Sequence, residues 1–213
     1  MPNAQGRPTL GDLLDEIADD LDRPDIPEKI ASAVTKAIRH YQPERFFFNE
    51  RILTFQTVPG ADVYGGGDAS EIPGLLAIDN VVRLENDQAY TLQRIAETDV
   101  ERLDHPASAT QPCAYSYFDR SIRLWPIPSG AWTIRLAAHI ELPAPVKRDD
   151  TSPWVDEAVD LIAARAKRHL GMSVLRDPAL AASQDVLANE ALRSLRGRTN
   201  RIASSGQIRA HDL

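Results

Sequence analysis

Apolar residues near the start of the chain recur at helical intervals. Leu10, Leu13, Leu14, Ile17, Ala18 and Leu21 fall at i, i+3, i+4 spacing, which places them on one side of a helix from Thr9 to about Arg23. Thr9 can accept from the first-turn amides, and Asp12, Asp15 and Glu16 suit the positive end of the helix dipole. Pro24 and Pro27 bracket a turn. Pro27 lies near the first position of a second helix whose stripe is Ile30, Val34, Ala37, Ile38 and Tyr41 and which stops at Pro43. Residues 1–8, polar and holding two prolines, read as a loose arm.

The period then changes. Residues 51–58 (RILTFQTV), 77–85 (AIDNVVRLE) and 88–95 (QAYTLQRI) are rich in strand-forming side chains, and Asn86-Asp87 supplies the turn between the last two. Residues 96–104 are too polar for a strand and predict one or two helical turns. CAYSYFD and RSIRLWP predict a hairpin about Asp119-Arg120. The stretch 119–136, DRSIRLWPIPSGAWTIRL, reads as a second hairpin bent at its prolines. Ile122 and Leu124 share one face, and Trp132, Ile134 and Leu136 another across the turn. With 131–142 as the last of about six strands, the middle of the chain is a compact antiparallel β unit.

Helical spacing returns after Asp150. Ser152 is placed to cap, Pro153 to open the helix, and Trp154, Ala158, Leu161, Ile162, Ala166 and Leu170 to form its buried stripe. Asp177-Pro178 breaks it. A last helix follows from Pro178 to Arg196, with Leu180, Leu187, Ala191, Leu192 and Leu195 on one face. Residues 197–213 show no period and read as a tail. The predicted class is α+β: an N-terminal helical pair, a central antiparallel β unit, two long C-terminal helices packing with the first pair, and an extended C-terminal tail. As domains, the expectation is a discontinuous helical bundle of 1–48 and 143–197, an inserted β domain of 49–142, and a flexible tail of 198–213.

Composition narrows the class of function. With 213 residues, 43% hydrophobic and 26% charged, the chain can bury a substantial core. No window approaches the ~18 continuous apolar residues of a membrane span. The N-terminus lacks a basic flank followed by an apolar block, so no signal peptide is expected. A single cysteine, Cys113, excludes an internal disulfide and a cysteine zinc cage, and fits a reducing, intracellular place of synthesis. Residues 1–160 carry 15 Lys/Arg against 27 Asp/Glu, a balance of −12, whereas 161–213 carry 9 against 4, a balance of +5. The acidic body argues against phosphate as its main ligand. The basic end could meet an acidic partner or simply present a solvated, arginine-rich helix face.

Candidate chemistry is sparse. The glycine-rich GADVYGGGDASE (60–71) has no Gly-Lys-Ser/Thr and no helix behind it, and Asp62, Asp68 and Glu71 would repel a phosphate, so a flexible inter-strand loop is expected. His40, His105, His139, His169 and His211 have no second ligand at metal-binding spacing. His40 and His169 fall near helix C-termini, where a cation is favoured. Asp19, Asp20 and Asp22, and the pair Asp149-Asp150, read as solvated surface. Phe46, Phe47, Phe48, Tyr115, Tyr117 and Trp125 read as core or subunit contacts rather than base-stacking platforms. No catalytic residue, metal site or cofactor is expected.

Three segments in this order resemble one known family, the head-to-tail adaptor (connector, head-completion) proteins of tailed bacteriophages, especially short-tailed ones. The first is TLGDLLDEIADDLDRPD with IPEKIASAVTKAIRHYQPERFFFNE; the second is QPCAYSYFDRSIRLWPIPSGAWTIRLAAHIELP, with its Pro-x-x-Tyr and Leu-x-Pro-x-Pro; the third is DTSPWVDEAVDLIAARAKRHL, with Asp-Thr-x-x-Trp opening a helix. Thr110-Gln111-Pro112 stands where the family often has Gly-x-Pro, and the loop after the first strand is longer and richer in glycine. The resemblance implies a structural, non-enzymatic virion protein at the neck, made in the host bacterial cytoplasm. It would form a homo-oligomeric, dodecameric ring under the portal protein. Genomic DNA would pass through without specific binding, and tail, nozzle or tail-hub proteins would attach below. Within that reading the expected portal-binding residues are Arg193, Arg196, Arg198, Arg201, Ile202, Ile208 and Arg209 of the last helix and tail, and a negatively charged wall would let DNA slide. The rival readings are a nucleic-acid-binding module using the arginine-rich end and an enzyme with an assembled cleft.

Overall fold

The computed structural model describes residues 6–68, 70–103 and 111–203. The chain divides into two compact units, one of residues 1–48 with 142–213 and one of residues 49–141. The first is helical and the second is built of strands, so the class is α+β.

In the helical unit, α1 (Leu10–Asp20) opens with a reciprocal cap: the Asp12 amide donates to Thr9 Oγ1, and the Thr9 amide donates to Asp12 Oδ2 at 2.9 Å. Two further first-turn amides donate to a distant loop, Leu10 to the Asp150 carbonyl (2.9 Å) and Gly11 to the Arg148 carbonyl (2.7 Å). Gly11 has to be glycine, because a Cβ there would stand 2.9 Å from the Arg148 oxygen. Helix α2 (Pro27–Tyr41) starts on Pro27 and buries Ile30, Ala33, Val34, Ala37 and Ile38.

The loop that holds α1 is tied in turn by Asp150. Its carboxylate accepts from the Val146 and Lys147 amides, bonds that hold its pKa below the ordinary carboxylate value. Ser152 then caps the short helix α4 (Pro153–Asp156) by accepting from the Trp154 amide. This turn delivers Trp154, fully buried, edge-on to Phe46 and Phe48, with its indole N–H donating to the Leu142 carbonyl. Helix α5 (Val159–Leu170) is central. Leu161, Ile162, Ala163 and Ala164 are all buried in succession, so it has no solvent face there, and it packs against α1, α2 and α6 (Pro178–Ala203). The predicted single helix from 152 therefore breaks in two at residues 157–158, and α5 ends in a wider π turn at Gly171–Leu175.

Two expectations for α6 change. The helix continues through Arg196 and Gly197 to Ala203, so residues 197–203 belong to it rather than to a tail. Its buried line is Ala181, Ala188, Leu195 and Thr199, leaving Leu187 half exposed. Two alanines seven residues apart, Ala181 and Ala188, begin this line, a signal that large-residue counting misses.

The β unit contains two four-stranded sheets. One runs β1 (Glu50–Gln56), β8 (Thr133–Ile140), β3 (Leu75–Glu85), β4 (Gln88–Thr91), all antiparallel. The other runs β2 (Val63–Tyr64), β7 (Ser121–Trp125), β6 (Ala114–Phe118), β5 (Gln93–Arg94), with β5 parallel to β6. Phe55, Tyr64, Leu75, Val81, Leu92, Tyr115, Ile122, Leu124, Ile134 and Leu136 form one core. Both tight turns hold left-handed residues, Asn86 and Asp87 (φ 49° and 61°) and Asp119 and Arg120 (φ 48° and 58°), the conformation two-residue hairpins need.

The proline segment is not a hairpin. β7 and β8 lie in different sheets, and residues 126–132 carry the chain from one to the other. Pro126 and Pro128 have no amide to continue a ladder, so the strand leaves its sheet there. Ile122 and Leu124 still meet Ile134 and Leu136, but across the core rather than along one sheet. Likewise the predicted strand 88–95 divides at buried Leu92 between two sheets. The glycine-rich loop is also more structured than expected: it contributes edge strand β2, buries Tyr64, and is braced by Asp68 accepting from the Gly65 and Ser70 amides.

Candidate partner-binding site

The arginine-rich end singled out in the sequence is the second half of α6, and the structure sorts its residues into two kinds. Arg196 donates to both carboxylate oxygens of Glu44, at 2.8 Å. Arg198 donates to Glu157 at 2.9 Å and lies over the Phe47 ring, 4.6 Å from its centroid. Thr199, buried beside them, donates to the Leu195 carbonyl and accepts from the Phe47 amide at 3.2 Å. These contacts explain why the helix extends past Arg196 without apolar periodicity. Its last turns are held by charge and by one threonine.

Arg193 and Arg201 are different. Both are exposed, and neither forms an ion pair with a described residue. Ile202 is 59% exposed although it continues the line of Leu195 and Thr199 past the packed part of the helix. Ile208 and Arg209 lie outside the described residues. Of the seven expected anchors, two are therefore engaged within the chain and three are presented outward. Glu44, Phe47, Glu157 and Thr199 were not recognised as their supports, because each lies far away in sequence or looks like ordinary surface.

Other candidate chemistry resolves into architecture. Asp20 accepts from Lys167 at 2.6 Å, and Asp15 from Arg148 at 2.6 Å. Lys36 Nζ lies 3.2 Å from His169 Nε2, and Arg165 beside His40 Nδ1. Desolvation first, and the neighbouring cations second, lower the pKa of both histidines. The expectation that these helix ends favour charged histidine is thus reversed by the basic residues around them. In the β unit His139 is buried between Asn49 Oδ1 (3.0 Å) and Asp79 Oδ2 (3.1 Å). Arg123 gathers Asp62, Glu97 and Glu101, a cluster that pins α3 (Glu97–Val100) to β7. Bonds from Ser116 and then Arg123 hold the Glu97 pKa low. Phe46, Phe48 and Tyr115 are buried, and Cys113 is exposed. Among the described residues no group of three or more His, Cys, Asp or Glu could hold a metal ion, and no helix is long and apolar enough to cross a membrane. An open groove of about 420 Å³ beside α5 and α6 is floored by Ala163, Ala164 and Ala191, and no histidine or cysteine lines it.

The end of α6 is thus braced from within by Glu44, Glu157 and Phe47, and it presents Arg193, Arg201 and Ile202 to solvent. A family model described as SU10 adaptor protein matches residues 8–210, nearly the whole chain, and the protein belongs to that family. It is a structural adaptor of a bacteriophage. No curated protein matches the chain.

Proposed function

We propose that the protein is the head-to-tail adaptor of a short-tailed phage. Twelve copies form a ring under the portal at the virion neck, extend the DNA channel and receive tail or nozzle proteins. Family membership over residues 8–210 supports the class, and the end of α6 supports the manner of docking. The observation that carries it is the pairing of two exposed arginines, Arg193 and Arg201, which form no ion pair among the described residues, with exposed Ile202 on a helix whose other arginines are already neutralised. A portal face with carboxylates around an apolar pocket would fit that set, and residues 204–213, with Ile208 and Arg209, would extend it.

A nucleic-acid-binding module is less well supported. Glu44 and Glu157 cancel the charge of Arg196 and Arg198, two of the five arginines at the basic end that phosphates would need. The charge-reversed Arg193→Glu/Arg201→Glu variant should remain folded and bind the portal ring at least about tenfold more weakly, measured by co-sedimentation. A truncation after Ala203 keeps Arg198 and Thr199, and so the brace, and should also dock poorly. Removing the chain from Gly197 onward would delete that brace and confuse folding with docking. Wild-type binding by both variants would refute the docking role.

A further inference from the structure

The larger sheet of the β unit is open at both ends in an unusual way. Edge strands are commonly kept short or blunted with lysine, proline or a bulge, because unpaired main-chain groups recruit other strands. The second sheet follows that rule, with two-residue edges β2 and β5. β1 does not. It runs seven residues in unbroken register with β8, contains neither proline nor lysine, and carries Ile52 at 73% exposure. At the opposite edge β4 (QAYT) is uncharged and exposed at every position.

The ladder fixes which groups face outward. The Thr57 amide donates to the Trp132 carbonyl, so odd-numbered positions of β1 bond to β8 and the amides and carbonyls of Thr54 and Gln56 turn away. The Leu92 amide donates to the Val81 carbonyl, so in β4 the outward pair is Ala89 and Thr91. All four residues are exposed, and none has a main-chain partner among the described residues.

Registers across the sheet connect these groups. Thr54, Arg135, Val82 and Thr91 form one rung, and Gln56, Thr133, Leu84 and Ala89 the next. Residues on one rung share a face and a height. With four alternating strands, β1 and β4 run in opposite directions. A second copy related by rotation about an axis along the strands therefore presents its β4 antiparallel to β1, with Thr91 level with Thr54 and Ala89 level with Gln56. We propose that β1 and β4 are the two halves of one heterologous interface, by which successive copies of this chain join into a continuous sheet. Pairing in this register needs no offset along the strands, and a heterologous contact of this kind closes into a ring when its rotation divides a full turn. No like charges meet at the seam, and the threonine pair is favourable across strands. The ring closure of this inference rests on the adaptor reading, whereas the edge pairing does not.

The test uses the full chain with Cys113→Ser as background and Thr54→Cys/Thr91→Cys added. Within one copy these positions are separated by β8 and β3, about 14 Å at the usual strand spacing, too far for a disulfide or a two-carbon bis-methanethiosulfonate linker. Between copies they would be adjacent. Portal-bound protein should give a ladder of multimers ending in a closed product, while either single-cysteine variant gives dimers at most. Portal-bound protein that stays monomeric overturns the proposal. If the chain does not bind portal, the adaptor reading fails by itself, and concentrated protein alone still decides the edge pairing by presence or absence of the ladder. A Thr54→Pro variant, which deletes one outward amide and no inward one, should keep the wild-type circular dichroism and lose the ladder.

Discussion

His40 and His169 stand in the last turns of α2 and α5, where a helix dipole alone would favour a charged ring. Desolvation and the cations Arg165, Arg168 and Lys36 lower both pKa values instead, so the folded state prefers the neutral rings. Near the ordinary value of 6.5 the unfolded chain then binds more protons than the folded one, and stability must fall as pH drops through that value. The urea midpoint should accordingly decrease between pH 8 and pH 5.5, and a His40→Gln/His169→Gln variant should lose most of that decrease. An unchanged slope in the variant would assign it to other groups. Trp154 is another single residue on which the helical unit depends. Fully buried between Phe46 and Phe48, it turns a loop motif into the anchor of the helical core.

Among the elements, α6 poses a question of its own. Gly197 lies inside a 26-residue helix, and a Cβ added there would meet nothing within 4 Å. Nothing among the described residues requires glycine there. Gly197→Ala should therefore stabilise the protein by about 1 kcal/mol, read as a higher urea midpoint. Destabilisation by the mutation would contradict an uninterrupted α6. Reading elements from the sequence worked where local chemistry decides. Thr9, Pro27, Ser152 and Pro153 open helices as their side chains dictate, and Asn86-Asp87 and Asp119-Arg120 form the turns expected of them. It failed where distant partners decide. β2 and β5 are two residues each, too short to show a period, and exist only because β7 and β6 pair with them. Alternation told correctly that Ile122, Leu124, Ile134 and Leu136 point into a core. It could not tell pairing along a sheet from packing across two, since both present the same pattern. The arginines of the candidate site were visible as a cluster, but their division into engaged and free depends on Glu44 and Glu157, far away in sequence.

Charge is unevenly distributed along the chain, with an acidic balance in 1–160 and a basic one in 161–213. Several acidic residues of 1–160 pair with bases of 161–213, Asp20 with Lys167, Glu44 with Arg196 and Glu157 with Arg198, while α6 presents Arg193, Arg201 and Ile202 to solvent. Docking of a set of copies on a portal ring would give the basic end of α6 its role. Native mass spectrometry of the purified protein, alone and mixed with the portal of the same phage, tests it most directly. The predicted result is a gain in the mass of the portal ring equal to one adaptor per portal subunit, a gain lost in the Arg193→Glu/Arg201→Glu variant. A portal ring whose mass is unchanged in the presence of excess folded protein would contradict that role.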